Sequence, residues 1–234
     1  MRAMGLQEYV PGTIWLMPYP VSLAGARFEA RMALVRLDDG SLMVHSPGPI
    51  DADVRERIQA LGDVALIVAP GNFHHLYVAD CQRAFPSAAT WICPGVERRA
   101  ATLCFDGVLG EALPASMQPA FEQVFVRGRL IAEVALLHRP TGTLLLVDLL
   151  ERFSDATPNV NGVLRACCKL MGMWNRPALG PEYRLFGWAD RAAARSALGR
   201  ILAWNARRVV IAHGDLVEAD TSAVLRKAWR AALA

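Results

Sequence analysis

The side chains of this 234-residue sequence best suited to chemistry are its five histidines, His45, His74, His75, His138 and His213. His74 and His75 come just after the apolar run Val64–Ala69, and His213 comes directly after the apolar run 208–212. Asp148 ends Leu144-Leu145-Leu146-Val147 in the same manner. Imidazole and carboxylate are the side chains that hold zinc, iron or manganese. The carboxyl ends of strands are where open α/β sheets collect their ligands. Histidine and aspartate at strand ends also serve as caps and turn formers, so each position carries a structural reading beside the chemical one.

The elements that must position these residues are legible as apolar patterns. Residues 13–16 form a short strand, and residues 32–37 and 41–45 flank the turn Asp38-Asp39-Gly40, which carries the Asp-Gly signal of a hairpin. Asp51 or Asp53 caps a helix in which Val54, Ile58 and Leu61 recur at helical spacing, and Gly62 ends it. Val64–Ala69 is uninterruptedly apolar, as expected of a strand buried on both faces. A helical stretch from Asn72 to about Phe85 stops at Pro86, strand 89–93 follows, and a short helix begins near Gly95. In the second half 122–126 is extended, and 132–138 and 143–148 flank the turn 139–142. Residues 190–206 and 221–233 are helical, the latter with the stripe Val224, Leu225, Ala228, Trp229 and Ala232. Two such halves predict a single domain over residues 1–234, a four-layer αββα sandwich of two mixed sheets with helices outside. Residues 152–187 are the least regular part and read as an insert, either a lid over a cleft or a dimer surface.

Composition narrows the function. At 53% hydrophobic and 20% charged residues the chain is a folded protein, and a net charge of +3, scattered along it, argues against nucleic acid. No uncharged stretch of about 18 residues is free of helix breakers, so no membrane partner is expected. Five cysteines with no Cys-x-x-Cys pair suit a reducing compartment, and the expected setting is cytoplasmic. A small-molecule substrate and a homodimer are the expected partners.

The order and spacing of these motifs resemble the metallo-β-lactamase-fold hydrolases, and more closely the branch known as domain of unknown function 4336. The resemblance spans nearly the whole chain. In that superfamily a buried strand leads into His-x-His-x-Asp-His, a later strand ends in Gly-Asp, and a last strand ends in a histidine, commonly Gly-His-Gly; together these hold up to two metals. Here Ala69-Pro-Gly-Asn-Phe-His-His75 stands in the first place, with Pro70 and Asn72 at the two leading histidine positions, His74 at the aspartate and His75 at the final histidine. Leu-Val-Asp148 matches the second motif, with Val147 for the glycine, and Ala-His213-Gly-Asp matches the third. No histidine lies between His75 and His138 to match the further one that the superfamily has between the first motif and the aspartate.

The resemblance therefore implies a metal-dependent hydrolase with at most one ion, zinc first and iron or manganese as alternatives. His75, Asp148 and His213 are the implied ligands, with His74 either a fourth ligand or the acid–base group, so that His74 and Asp148 are the catalytic candidates. The converse reading is a degenerate, metal-free member whose old cleft serves as a binding or interaction module. Nothing in the residues selects among ester, lactone, thioester and phosphoester. Hairpin geometry keeps His138 out of the site. It pairs near Thr143, and at about 3.3 Å per residue Asp148 is roughly 15 Å away. The same pairing sets Glu133 beside Asp148, so Glu133, Asn72 and His45 are the candidate supports of the ligands, His45 being equally readable as a core histidine. Cys167-Cys168, on an apolar helical stretch, reads as core rather than as a redox pair. Arg127-Gly-Arg129 is an exposed basic turn or an anion clamp.

Overall fold

The computed structural model describes residues 5–234. The chain groups into two compact units: the chain up to Tyr19 with Arg31–Ala120, and Pro20–Ala30 with Phe121–Ala234.

A seven-stranded mixed sheet, β1 (Gln7–Val10), β2 (Ile14–Leu23), β3 (Ala26–Arg36), β4 (Leu42–His45), β5 (Val64–Ala69), β6 (Ala89–Ile92) and β7 (Gly107–Val108), runs in strict chain order. The predicted hairpin joins β3 and β4 antiparallel, with Leu34 opposite Val44. From β4 onward the strands are parallel, with Val44 opposite Ile67 and Ile67 opposite Thr90. Parallel neighbours on both sides explain why β5 is apolar throughout. The crossover before it is α1 (Ala52–Leu61), where Asp51 accepts the Val54 amide at 2.8 Å and Val54 and Ile58 are buried. β2 continues well beyond the short strand read at 13–16, through Pro18 and Pro20 to Leu23. The helical stretch expected from Asn72 begins only with α2 (Val78–Ala84). Residues 71–77 are consecutive turns, with His74 N–H bonded to Gly71 O and Val78 N–H to His75 O. Asn72, Phe73, His74, His75 and Tyr77 are all weak helix formers, so the turn bonds prevail there. A one-turn helix, α3 (Val96–Arg99), follows β6.

The second unit is built on a four-stranded sheet, β8 (Phe121–Arg127), β9 (Ala132–His138), β10 (Thr143–Leu146) and β11 (Arg208–Ile211), in the order β11-β10-β9-β8. β9 and β10 form the predicted hairpin, with His138 opposite Thr143, and β10 runs parallel to β11. Between them lie α4 (Gly162–Leu170), α5 (Pro181–Phe186) and α6 (Arg191–Ala203), and after β11 come α7 (Thr221–Ala228) and α8 (Arg230–Leu233). Leu146, Leu198, Ile211, Leu225 and Trp229 share one core cluster. The single helix read over 221–233 is broken at Trp229, whose indole Nε1 donates to Leu149 O at 2.7 Å. A smaller cluster of Phe153, Cys168, Met173, Trp174 and Ala178 organises the insert, with Phe28 packed against it. Among the described residues no helix is long and apolar enough to cross a membrane.

Trp229 is fully buried and holds the Leu149 carbonyl. Trp229→Ala is expected to cost about 3–5 kcal/mol through the cavity it leaves. Chemical denaturation should show this as a lower midpoint with an unchanged slope.

Candidate metal centre

Asp148 and His213 meet inside the second unit. Leu146 lies opposite Ile211 in the parallel pair, so the residues two further along each strand leave the sheet at the same end. Asp148 Oδ1 is 3.5 Å from His213 Nε2, and both residues are buried. His213 Nδ1 is 3.3 Å from the Glu29 carbonyl oxygen, and its ring stands edge-on to Phe28 with centroids 5.2 Å apart. A carbonyl only accepts, so Nδ1 donates to it, and the ring is turned with Nε2 toward the Asp148 carboxylate. That is the orientation of an imidazole able to bind metal through Nε2.

The backbone at Asp148 is held by Glu133. This side chain has no solvent exposure, and its carboxylate accepts the amides of Val147 at 3.1 Å, Asp148 at 2.7 Å and Leu149 at 2.6 Å. The neighbourhood inferred from hairpin pairing is thus a set of direct hydrogen bonds. On the other side the Gly180 amide donates to Asp148 O at 2.9 Å, and a Cβ on Gly180 would lie 2.6 Å from that oxygen. Beyond His213, Gly214 has φ +90°, and a Cβ there would overlap the Arg152 carbonyl. Asp215 then binds Ser154 Oγ at 2.5 Å and Thr157 Oγ at 2.7 Å.

Within the first unit His74 and His75 sit, half-buried, in the turns after β5. Ser46 Oγ lies 2.9 Å from His74 Nδ1, and Ser46 itself, at φ 53°, follows β4 with its amide on Val68 O. The His75 pKa is lowered, chiefly by burial and also by the charges of Arg99 and His74, against a hydrogen bond the ring donates to the Asn72 backbone carbonyl, which raises it. His45 is buried with its Nε2 lacking a hydrogen-bond partner, and burial with the nearby His74 pushes its pKa down to about 3. It is therefore neutral at physiological pH. Asn72 is buried and packs its Cβ near Gly95.

Other candidates fall elsewhere. His138 is bonded to the turn through Thr141 Oγ at 2.9 Å, but it is buried against Phe121 rather than lying at the surface. Cys168 is core with its thiol pushed up to about 11, chiefly by burial, whereas Cys167 is exposed. Arg129 Nε is spent on the Trp188 carbonyl at 3.1 Å. Two neighbours are not signalled by the sequence pattern. One is Ser46, whose position beside His74 depends on the crossing from β4 to β5. The other is Glu151, three residues past Asp148; burial first, then Asp148 and Glu182, push its pKa well up. It is 8% exposed, and burial there favours its neutral form.

The two buried glutamates should respond oppositely to amide replacement. Glu133→Gln swaps one acceptor for a donor facing backbone N–H groups, and is expected to cost about 1–3 kcal/mol. Glu151 binds its proton more tightly in the folded than in the unfolded state, so its contribution to stability is full at low pH and is lost as pH rises through the raised folded-state value. Glu151→Gln is therefore expected to leave the protein at least as stable near pH 7 and to flatten that decline. Denaturation at a series of pH values checks both.

A family profile described as a domain of unknown function (DUF4336) matches residues 11–97. No curated protein matches the sequence. Solved structures similar over the chain include the DIM-1 metallo-β-lactamase exposed to ceftazidime, with TM-score 0.65, 14% identity and 96% of this chain and 94% of that one covered. The metallo-β-lactamase FIM-1 from Pseudomonas aeruginosa, in its mono-zinc form, aligns with TM-score 0.65 and 10% identity over 98% and 96% of the two chains. VMB-1 aligns with TM-score 0.68 and 8% identity over 100% and 98%. At these identities the likeness shows the fold, a metallo-β-lactamase-like α/β sandwich with two mixed sheets and flanking helices. The chain is thus a metallo-β-lactamase-fold protein related to the DUF4336 family.

Proposed function

We propose that this protein is a metal-dependent hydrolase holding one divalent ion, zinc by preference, on Asp148, His213 and His74. The observation that carries the reading is the buried Asp148–His213 pair, with the imidazole turned by the Glu29 carbonyl so that Nε2 faces the carboxylate. The motif resemblance adds a histidine of the first motif as third ligand, so that two imidazoles and one carboxylate make up the donor set. His74 is preferred to His75 as third ligand because Ser46 at its Nδ1 orients the ring as outer hydrogen bonds orient ligating imidazoles. One neighbour in fold was solved with a single zinc. Pro70 and Asn72, in place of the two leading histidines, speak for one ion rather than two.

When bound, the ion lowers the pKa of water toward neutrality and polarises the oxygen of an ester, lactone, thioester or phosphoester. The chain's own groups then have separate tasks. Glu133 keeps the 147–149 backbone in place, and with it the direction in which Asp148 projects. The Glu29 carbonyl keeps the hydrogen of His213 on Nδ1. His75, with its pKa lowered, is unprotonated at neutral pH and able to accept a proton. A small-molecule substrate and a reducing, cytoplasmic setting complete the reading, the latter supported by five free cysteines.

The second reading is a metal-free binding module, favoured by the same Pro70 and Asn72. Elemental analysis of protein purified without chelator separates the two. Near one ion per chain is expected, with uptake lost in Asp148→Asn and His213→Ala. Glu133→Gln is expected to bind about 10–100-fold more weakly. Uptake should fall as pH drops below about 6.5, because ligating imidazoles must be unprotonated. Protein that takes up no zinc, iron or manganese on reconstitution is the binding module instead.

A further inference from the structure

α4 is apolar on two faces. Leu164, Cys168 and Met171 turn inward onto the cluster of Phe153, Met173 and Trp174. A second face, Val163, Ala166, Cys167 and Leu170, is spaced i, i+3, i+4, i+7 and lies in solvent. At about 100° per residue these four side chains share an arc of roughly 100°. Leu170 is 91% exposed. The helix keeps only a narrow polar strip, Arg165 and Lys169, and Arg165 is already occupied: it lies 3.6 Å from Asp155 and stacks over Trp174 at 4.9 Å. A nine-residue surface helix with so little polar face is one that something covers.

We propose that this face of α4 is the contact surface of a homodimer with a two-fold axis. The argument for a second copy is the order of sizes along the stripe. A two-fold axis passing between Ala166 and Cys167 reverses the helix direction and sets Val163 against the partner's Leu170, and Leu170 against the partner's Val163. The two small residues fall at the axis, where the helices come closest, and the two large ones close over the ends. An isologous interface needs such self-complementarity, and a stripe of random order does not provide it. The charged strip does not oppose the pairing, because Arg165 is turned aside to Asp155.

The helix is also held ready. Asn161 caps it by accepting the Leu164 amide at 3.1 Å and ties it to the β2–β3 hairpin by accepting the Arg27 amide at 3.0 Å. Arg184 of α5 donates to Met171 O at 2.7 Å, which brings α5, with Leu185 68% exposed, to the C-terminal end of the stripe. Four side chains of a nine-residue helix, with Leu185 nearby, are few beside the roughly 800 Å² per partner of a standard interface. The dimer is therefore expected to depend on concentration. This inference is independent of metal binding and of hydrolysis.

The test is sedimentation of the full chain from about 5 to about 200 µM, bracketing micromolar affinity. A shift from the 25.5 kDa monomer toward twice that mass is expected. Leu170→Glu, at a site exposed enough to leave the fold intact, is expected to weaken association at least about tenfold. Copper-phenanthroline oxidation gives a second readout that needs no destabilising change. It should join wild-type chains through Cys167, and fail in Cys167→Ser and in Leu170→Glu. A monomer throughout with no crosslink overturns the proposal. So does a dimer indifferent to Leu170→Glu, which would use another surface. A monomer that instead binds phosphatidylcholine vesicles through the stripe also overturns it.

Discussion

A carboxylate without solvent contact is costly unless hydrogen bonds replace its water, and in the second unit the burial of Glu133 is offset by three backbone amides in succession. That requirement decides the path of residues 147–149. The strand β10 ends at Leu146 because the next three N–H groups turn to Glu133 instead of to the ladder. Asp148 O then takes the Gly180 amide, and Leu149 O takes the indole of Trp229. The break in the last helix and the absence of a side chain at 180 are consequences of the same anchoring. Asp148 is consequently placed by the packing of the whole unit, and its direction does not depend on any one loop.

His213 is placed by a different means. Its strand is held by parallel pairing with β10, so both candidate ligands reach the same height without any contact between them being needed. Past it the chain comes too close to Arg152 for any side chain but hydrogen, and Asp215 fastens the opposing loop through Ser154 and Thr157. The Gly-Asp that follows His213 thus has a structural cause in addition to its place in a motif. Glu151 marks the contrast with Glu133. Burial and two neighbouring carboxylates push its pKa up and favour its neutral form. Two buried glutamates in one unit therefore differ in what their oxygens face, backbone amides for Glu133 and neighbouring carboxylates for Glu151.

Features that depend on local pattern are legible in the residues themselves. The Asp-Gly hairpin, the cap at Asp51, the doubly buried β5 and the register of His138 on Thr143 all follow from residues near one another in the chain. The register reaches beyond the hairpin, since strand pairing alone sets Glu133 beside Asp148. The break at Trp229 is not legible, because it involves a carbonyl 80 residues away in sequence. Ser46 and Glu151 escape notice for a similar reason. Their types are common, and only the fold puts one against His74 and the other among carboxylates.

Periodicity and chain order are enough to predict a sandwich of two mixed sheets, with histidine and aspartate at the ends of buried strands; the likeness to metallo-β-lactamases rests on motif resemblance. A linear chain carries both properties in full. Which atoms face each other is settled by tertiary packing instead. Asp148 and His213 approach to 3.5 Å because two strands more than 60 residues apart pair in a particular register. The orientation of the His213 ring is fixed by a carbonyl 184 positions away. Exposure of the second apolar face of α4 is likewise a tertiary matter, since the helix pattern shows two apolar faces and packing selects which one is covered.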